Sequence, residues 1–192
     1  MTNSGSVVVT GANDAPRFVT TGVTITNENF ESGANGWSDT TVTTVDGLTQ
    51  FLGNFGQGGA TEKAFIIPNG ANGVSFSFDF YEMDSWDDET FTVSINGDPI
   101  LQKVFGQVGD QSDANFTLKT LEDADLGLAA FNDQVYGVRF SLSAAQLAEF
   151  PDPGLGNKIV TLGFSSTPKP DIGDESWARD NLRHRAQTTL TR

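Results

Sequence analysis

The side chains best suited to chemistry in this sequence are carboxylates, and they are concentrated in one short segment. Five of them fall between positions 82 and 89. Like charges this close repel one another and raise each other's pKa unless a positive charge lies nearby, and no Lys or Arg is adjacent in the sequence. Ca²⁺ supplies such a charge, since it takes about six to eight oxygen ligands from flexible loops. The spacing does not match an EF-hand loop, so we predict a calcium site of another kind.

A second acidic segment near the end of the chain repeats the pattern of the first. Asp84-Ser85-Trp86 and Glu175-Ser176-Trp177 share the order acid, Ser, Trp. If these two segments meet at one end of the fold, their carboxylates form a shared pocket for a cation. The predicted metal ligands are Glu31, Glu82, Asp84, Asp87, Asp88, Glu89, Asp174, Glu175 and Asp180.

The composition restricts the chemistry to oxygen ligands. The 192 residues include no Cys and one His, which excludes disulfides, thiol nucleophiles and metal sites built from several His. The single histidine, His184, lies in a polar C-terminal stretch, and we do not expect it to act as a catalytic base. There are 25 Asp and Glu against 11 Lys and Arg, and a net charge of −14 opposes nucleic-acid binding. No segment approaches the roughly 20 apolar residues of a membrane span.

The elements that must position these acids are short strands. Residues 74–81 and 91–96 alternate apolar and polar side chains, and Asn96-Gly97 predicts a hairpin turn to a return strand at 100–104. A short helix is predicted at 143–149, and the glycine-rich segment 53–59 is predicted to be a turn. Further strands are predicted at 63–67, 116–121, 134–142 and 158–164. The pattern predicts an all-β, lectin-like jelly roll or β-sandwich with long acidic loops.

Several motifs of the sequence resemble those of known calcium-binding jelly rolls. Phe30-Glu31-x-Gly33 with Asp180-Asn181 is similar to the frame of calcium-stabilised jelly rolls in carbohydrate-binding modules. The fuller pattern over 78–87, 93–97 and 174–181 resembles the ligand-binding jelly roll of giant repeats-in-toxin (RTX) bacterial adhesins. The resemblance implies a calcium cofactor and capture of a peptide C-terminus on a partner cell, with the terminal carboxylate completing the calcium coordination. It also implies a bacterial cell-surface location reached by type I secretion, which needs no N-terminal signal.

The resemblance also divides the chain. Residues 11–16 resemble the junction after an adhesin repeat, so we interpret 1–18 as the end of a preceding repeat or a linker. Residues 19–182 form the predicted ligand-binding sandwich. Residues 183–192 depart from the family frame, because an apolar alternating strand is expected there, and we interpret them as a polar tail.

Specificity in such a module requires side-chain walls around the ion. The candidate ligand-binding residues are Tyr81, Trp86, Trp177, Asn54 and Gln57. For the two Trp residues, core packing is an equal alternative. A calcium-dependent carbohydrate-binding module of the same fold and a structural spacer stiffened by calcium are the other hypotheses. A glycoside hydrolase is disfavoured, because the acids cluster in loops with Asp, and we predict that the protein is not an enzyme.

Overall fold

The computed structural model describes residues 18–45, 48–56, 58–106, 112–119, 133–167 and 175–191. Within these ranges the chain forms an antiparallel β-sandwich with one short helix, which confirms the predicted fold class. The elements are β1 (Phe18–Glu28), β2 (Val42–Thr43), β3 (Phe51–Phe55), β4 (Ala60–Ile67), β5 (Gly73–Asp84), β6 (Glu89–Ile95), β7 (Asp98–Phe105), β8 (Phe116–Lys119), β9 (Gln134–Ser143), α1 (Ala144–Ala148), β10 (Lys158–Ser166) and β11 (Glu175–Thr191).

The larger sheet is organised around β11. Its strand order is β2-β3-β11-β5-β9-β8, and β1 also pairs with β11. β3 pairs with the first part of β11, at 177–179, and β1 pairs with its later part, at 182–191. The opposite edge of β11 pairs with β5 from Glu175 to Gln187. β11 therefore carries the end of the chain through the middle of the sheet.

The second sheet has the order β4-β10-β6-β7. Aromatic rings from the two sheets meet between them. The rings of Phe80 on β5 and Phe91 on β6 are stacked with their centres 4.0 Å apart, and Phe78 meets Phe164 of β10 edge-on at 4.8 Å. All four rings are buried, so the alternating apolar positions of β5 and β6 form the core that the sequence predicts.

Two short-range predictions are confirmed. Asn96 and Gly97 join β6 to β7 with φ angles of 51° and 88°, the left-handed conformation that a tight hairpin turn requires. The helix forms as α1, with Ser143 as its N-cap and a capping box to Gln146. Both features depend on residues close in sequence, which is why pattern reasoning finds them.

Two interpretations are wrong. Residues 183–191 are not a tail outside the domain, because they continue β11 and pair with both β1 and β5. Leu182, His184 and Ala186 point inward and are buried, and only one of these three is a large apolar residue, which hides the alternation. The segment 53–59 is not wholly a turn, because Gly53 to Phe55 belong to β3. Among the described residues, no helix is long and apolar enough to cross a bilayer.

Candidate metal centre

Three carboxylates from two separate parts of the chain meet at one end of the sandwich. Ligand oxygens of Asp87, Glu89 and Glu175 all lie within 4.8 Å of one another. Asp87 belongs to the β5–β6 loop, Glu89 begins β6 and Glu175 begins β11. The two acidic segments therefore do meet, as the shared-pocket hypothesis requires.

Hydrogen bonds from two backbone amides hold the β5–β6 loop in place. The amide of Asp87 donates to Glu89 Oε2 at 2.5 Å, and the amide of Asp88 donates to the carbonyl of Phe105 at 2.9 Å. Asp84 and Asp88 adopt left-handed φ angles of 68° and 92°. Non-glycine residues adopt this conformation rarely, and such strained positions are frequent at ligand sites. The loop turns sharply and directs Asp87 and Glu89 to the same place.

Strand pairing brings the third acid to this loop. Glu175 lies opposite Asp84 in the β11–β5 register. Trp86 is 1% exposed, and its indole Nε1 donates to the backbone carbonyl of Ser176 at 3.0 Å. The buried Trp86 ring therefore ties the loop to the start of β11 and fixes the distance between the two acidic segments.

More carboxylates are buried around the three. Glu82 and Asp84 occupy inward positions at the end of β5 and are 3% and 5% exposed. Asp133, also 3% exposed, accepts a hydrogen bond from the backbone amide of Asp84 at 2.8 Å. Ionised carboxylates packed this closely repel one another. A cation of charge +2 at this end of the core would offset that repulsion.

The oxygen-only donor set suits a hard cation such as Ca²⁺. Asp87 is exposed, whereas Glu89 and Glu175 are buried, so an ion held by all three would have protein on its inner side and solvent on its outer side. A cavity of about 10 Å³ lies beside the cluster, lined in part by Gly56, Thr167 and Ser176. This cavity is too small to enclose a ligand, so any ligand of the ion would bind at the surface.

Two predicted metal ligands lie elsewhere. Asp180 projects from the outer face of the larger sheet, opposite in register to Asp79, and is fully buried there. Burial raises the pKa of Asp180, and the carboxylates of Asp79 and Glu31 add to the increase. Glu31 accepts a hydrogen bond from the amide of Gln50 at 2.8 Å. Glu31 and Asp180 thus form a separate acidic region and do not join the three-carboxylate cluster.

The remaining four predicted ligands are Glu82, Asp84, Asp88 and Asp174. Asp88 is exposed and is not part of the three-carboxylate cluster, although it is adjacent to Asp87. Glu82 and Asp84 adjoin the cluster without belonging to it. Asp174 lies outside the described residues.

The predicted ligand-binding aromatic residues are core residues. Trp86 and Trp177 are 1% and 0% exposed and belong to the main apolar cluster, so they support the site from below and offer no exposed wall. Tyr81 lies on the outer face of β5 with Phe51 and Met83, away from the inward-facing Glu82. Asn54 is the extra residue of a bulge where β3 meets β11. Gln57 lies outside the described residues.

Sequence reasoning missed a buried basic group. Arg179 is fully buried on the inward face of β11, and its guanidinium carbon lies 3.6 Å from the centre of a Trp37 ring and 4.4 Å from that of Phe164. Glu28 accepts hydrogen bonds from Trp37 Nε1 at 2.7 Å and from Lys63 Nζ at 2.5 Å. Burial lowers the pKa of Arg179, and the charge of Glu28 opposes that change. No local spacing in the sequence predicts this arrangement, because Arg179, Trp37 and Glu28 come together only in the folded chain.

No protein-family model matches the chain, and no curated protein matches it either.

Proposed function

We propose that the protein is a calcium-dependent binding module that captures the carboxyl terminus of a peptide or protein. The carboxylate of the ligand would occupy an open coordination position of a calcium ion held by Asp87, Glu89 and Glu175. The observation that carries the proposal is the convergence of these three acids, two buried and one exposed, at one end of a sandwich.

The physical argument rests on charge. Three carboxylates around one point favour a divalent ion there, and the ion in turn would offset their repulsion of a ligand carboxylate. Ca²⁺ accepts about six to eight oxygens, and three residues do not exhaust that number even when some bind through both oxygens. A ligand carboxylate is a strong oxygen donor and can approach only from the solvent side, where Asp87 lies.

The biological setting follows from the sequence motifs. The resemblance to RTX adhesins supports a module of a longer adhesive chain, exported by the type I route and displayed on a bacterial surface. In that setting the ligand is a protein terminus on another cell. A carbohydrate ligand, bound through vicinal hydroxyls on the same calcium, is the competing expectation.

The test combines metal binding with peptide binding. Tb³⁺ replaces Ca²⁺ on oxygen ligands, and its emission is sensitised by the nearby Trp86 ring, which lines the same cavity as Glu89 and Glu175. A library of peptides with free C-termini is then screened in calcium by fluorescence polarisation. We expect Asp87→Asn to lower peptide affinity by more than tenfold while the melting temperature in saturating calcium changes little, because the buried Glu89 and Glu175 would still hold the ion.

Asp88→Asn is the matched control, since it removes the same charge from the adjacent exposed position outside the cluster. It should leave both Tb³⁺ emission and peptide affinity unchanged. Undiminished binding of a C-terminally amidated peptide would contradict the carboxylate-to-calcium mechanism. Binding of glycans and of no peptide would favour the carbohydrate-binding alternative.

A second candidate is a purely structural ion. The buried positions of Glu82, Asp84 and Glu89 favour it, because ions enclosed by buried acids stabilise a fold. This candidate predicts that Asp87→Asn lowers the melting temperature in calcium, while no peptide or glycan binds the wild-type protein.

A further inference from the structure

A broad groove lies on the outer face of the larger sheet, on the side facing away from the apolar core. It has a volume of about 560 Å³ and crosses β11, β5, β9 and β8. The cavity beside the carboxylate cluster has only about 10 Å³. The groove is therefore a ligand-sized site in a different place from the candidate metal centre.

Two arginines line this groove. Arg183 of β11 and Arg139 of β9 are both register partners of Ser77 on the intervening β5. Register partners in antiparallel strands project from the same face, and strands lie about 4.8 Å apart, so the two backbones are roughly 10 Å apart. Arg183 Nε donates to Asn27 Oδ1 of β1 at 3.1 Å, on the edge of β11 away from β5, so the guanidinium would turn from Asn27 toward β5 to meet a ligand. A group lying above Ser77 is within reach of both cations.

The next row of the groove is polar and oriented. Asp79 accepts a hydrogen bond from Asn181 Nδ2 at 3.1 Å and forms an ion pair with Lys119. An acid, an amide and an ammonium group placed together can each donate to or accept from hydroxyl groups of a ligand. Thr117 adds a hydroxyl on the far side.

The floor of the groove is kept low by small residues. Gly137 is the register partner of Asp79, and a Cβ atom at Gly137 would lie 3.0 Å from Lys119 Cε. A side chain at this position would push Lys119 into the groove. Ser77 is the other central floor residue, so no bulky side chain rises from the middle of the groove.

The charge of the groove opposes that of the protein. Its lining includes Lys119, Arg139 and Arg183 against one acid, Asp79. The whole chain carries a net charge of −14 and only 11 basic residues. Because Lys119 is paired with Asp79, the surplus charge of the groove comes from the two arginines, which form a local positive site on an acidic surface and attract anions at short range where screening by salt is incomplete.

We propose that this groove binds an acidic saccharide, namely a sugar unit that carries a carboxylate. The carboxylate lies between Arg139 and Arg183, and the ring hydroxyls bond to Asp79, Asn181 and Thr117. The two guanidiniums supply charge-assisted hydrogen bonds, which are about twice as strong as neutral ones. This site uses no metal and is independent of the proposed capture of a peptide terminus.

The test titrates ¹⁵N-labelled full-length protein with a uronic-acid trisaccharide and follows backbone amide shifts. The methyl ester of the same trisaccharide is the matched ligand, since it keeps the hydroxyls and loses the charge. Both titrations are run in calcium and repeated on the calcium-site variant Asp87→Asn. We expect the acid to shift amides of β5, β9 and β11 around Ser77 in both proteins, and the ester to bind at least tenfold more weakly.

Variants locate the site. Arg139→Gln and Arg183→Gln should each weaken binding by roughly tenfold, the loss expected for one charge-assisted contact. Gly137→Val should do the same by filling the floor and displacing Lys119. Arg185→Gln is the control, because Arg185 is a register partner of Ser75 on the same face but does not line the groove. It should bind as the wild type does.

Three results would overturn the proposal. The first is equal binding of acid and ester, which removes the role of charge. The second is wild-type affinity in Arg139→Gln and Arg183→Gln. The third is competition by inorganic sulfate or by a free peptide carboxylate as effective as the trisaccharide itself, which would reduce the groove to a simple anion site.

Discussion

Strand β11 carries two buried polar regions of opposite sign on its inward face, and they are stabilised in different ways. Glu175, at its start, belongs to a group of buried acids, and Arg179, four residues later, is a buried cation. The acids have other acids as neighbours. The cation has ring faces and the carboxylate of Glu28.

The difference lies in which partners the chain itself supplies. Trp37 and Phe164 offer the negative faces of their rings to Arg179, but no nitrogen of its guanidinium has a hydrogen-bond partner among the described residues, so the rings offset this buried charge only in part. In a cluster of carboxylates each added acid raises the cost of ionising the others, and a bound cation is one way to offset that repulsion. The acids converge on one point beside solvent, which makes the acidic region the candidate for an external ion, whereas Arg179 is enclosed by aromatic rings.

The largest expected effect concerns the acidic region. We expect calcium at about a thousandfold excess over its dissociation constant to stabilise the protein by about 4 kcal/mol. The double substitution Glu89→Gln with Glu175→Gln should abolish that gain. In chelator the same variant should be more stable than the wild type, because repulsion among buried acids is removed. Urea unfolding in calcium and in chelator measures both the gain from calcium and the difference between the variant and the wild type.

A matched control removes two exposed acids, Glu62→Gln with Glu149→Gln, and should keep the full response to calcium. If the wild-type protein unfolds at the same urea concentration in calcium and in chelator, the acidic region needs no ion. The two regions would then not differ in the way argued above.

The next effect concerns the basic region. Glu28 accepts hydrogen bonds from Trp37 and Lys63, and its charge also favours the charged form of the buried Arg179, so we expect Glu28→Gln to destabilise the protein by about 3 kcal/mol. Arg179→Met replaces the cation by an apolar side chain of similar length and should change stability by less than about 1 kcal/mol. In the Arg179→Met background, Glu28→Gln should cost much less. Equal costs in both backgrounds, measured by urea unfolding at fixed calcium, would show that Glu28 does not compensate Arg179.

The comparison also explains what sequence alone predicts. The alternation at 74–81 and the two acid-Ser-Trp triplets are local patterns, and they correctly indicate the core strand and the segments whose acids meet. The pairing of Glu28 with Trp37 and Lys63 depends on tertiary contacts that no spacing encodes. Tyr81 was assigned to the site by proximity in sequence, although neighbouring residues of a strand face opposite ways.

The end of β11 shows the same limit. His184 and Ala186 occupy inward positions that usually carry large apolar residues, so the strand resembles a polar tail. Asp133 belongs to the buried acids through a hydrogen bond across 49 residues of sequence. Its position just before β9 is the only local signal, since acids at strand ends often line ligand sites.

The smallest expected effect on stability comes from the protonation of His184. His184 packs against Phe65 and Phe76, and burial lowers its pKa from 6.5 to about 4, although Glu28 opposes the change. The unfolded chain therefore binds a proton between these two values before the folded chain does. The contribution of neutral His184 to the free energy of unfolding is therefore fully present above pH 6.5 and is lost as the pH falls toward 4. The loss is roughly 2 kcal/mol once solvent screening is allowed for.

His184→Phe keeps the ring packing and removes the titration. The free energy of unfolding of variant and wild type is measured at fixed calcium from pH 7 downward. The difference between them should grow in favour of the variant as the pH falls. A constant difference across that range would mean that His184 is protonated alike in both states and that the basic region tolerates a second buried cation.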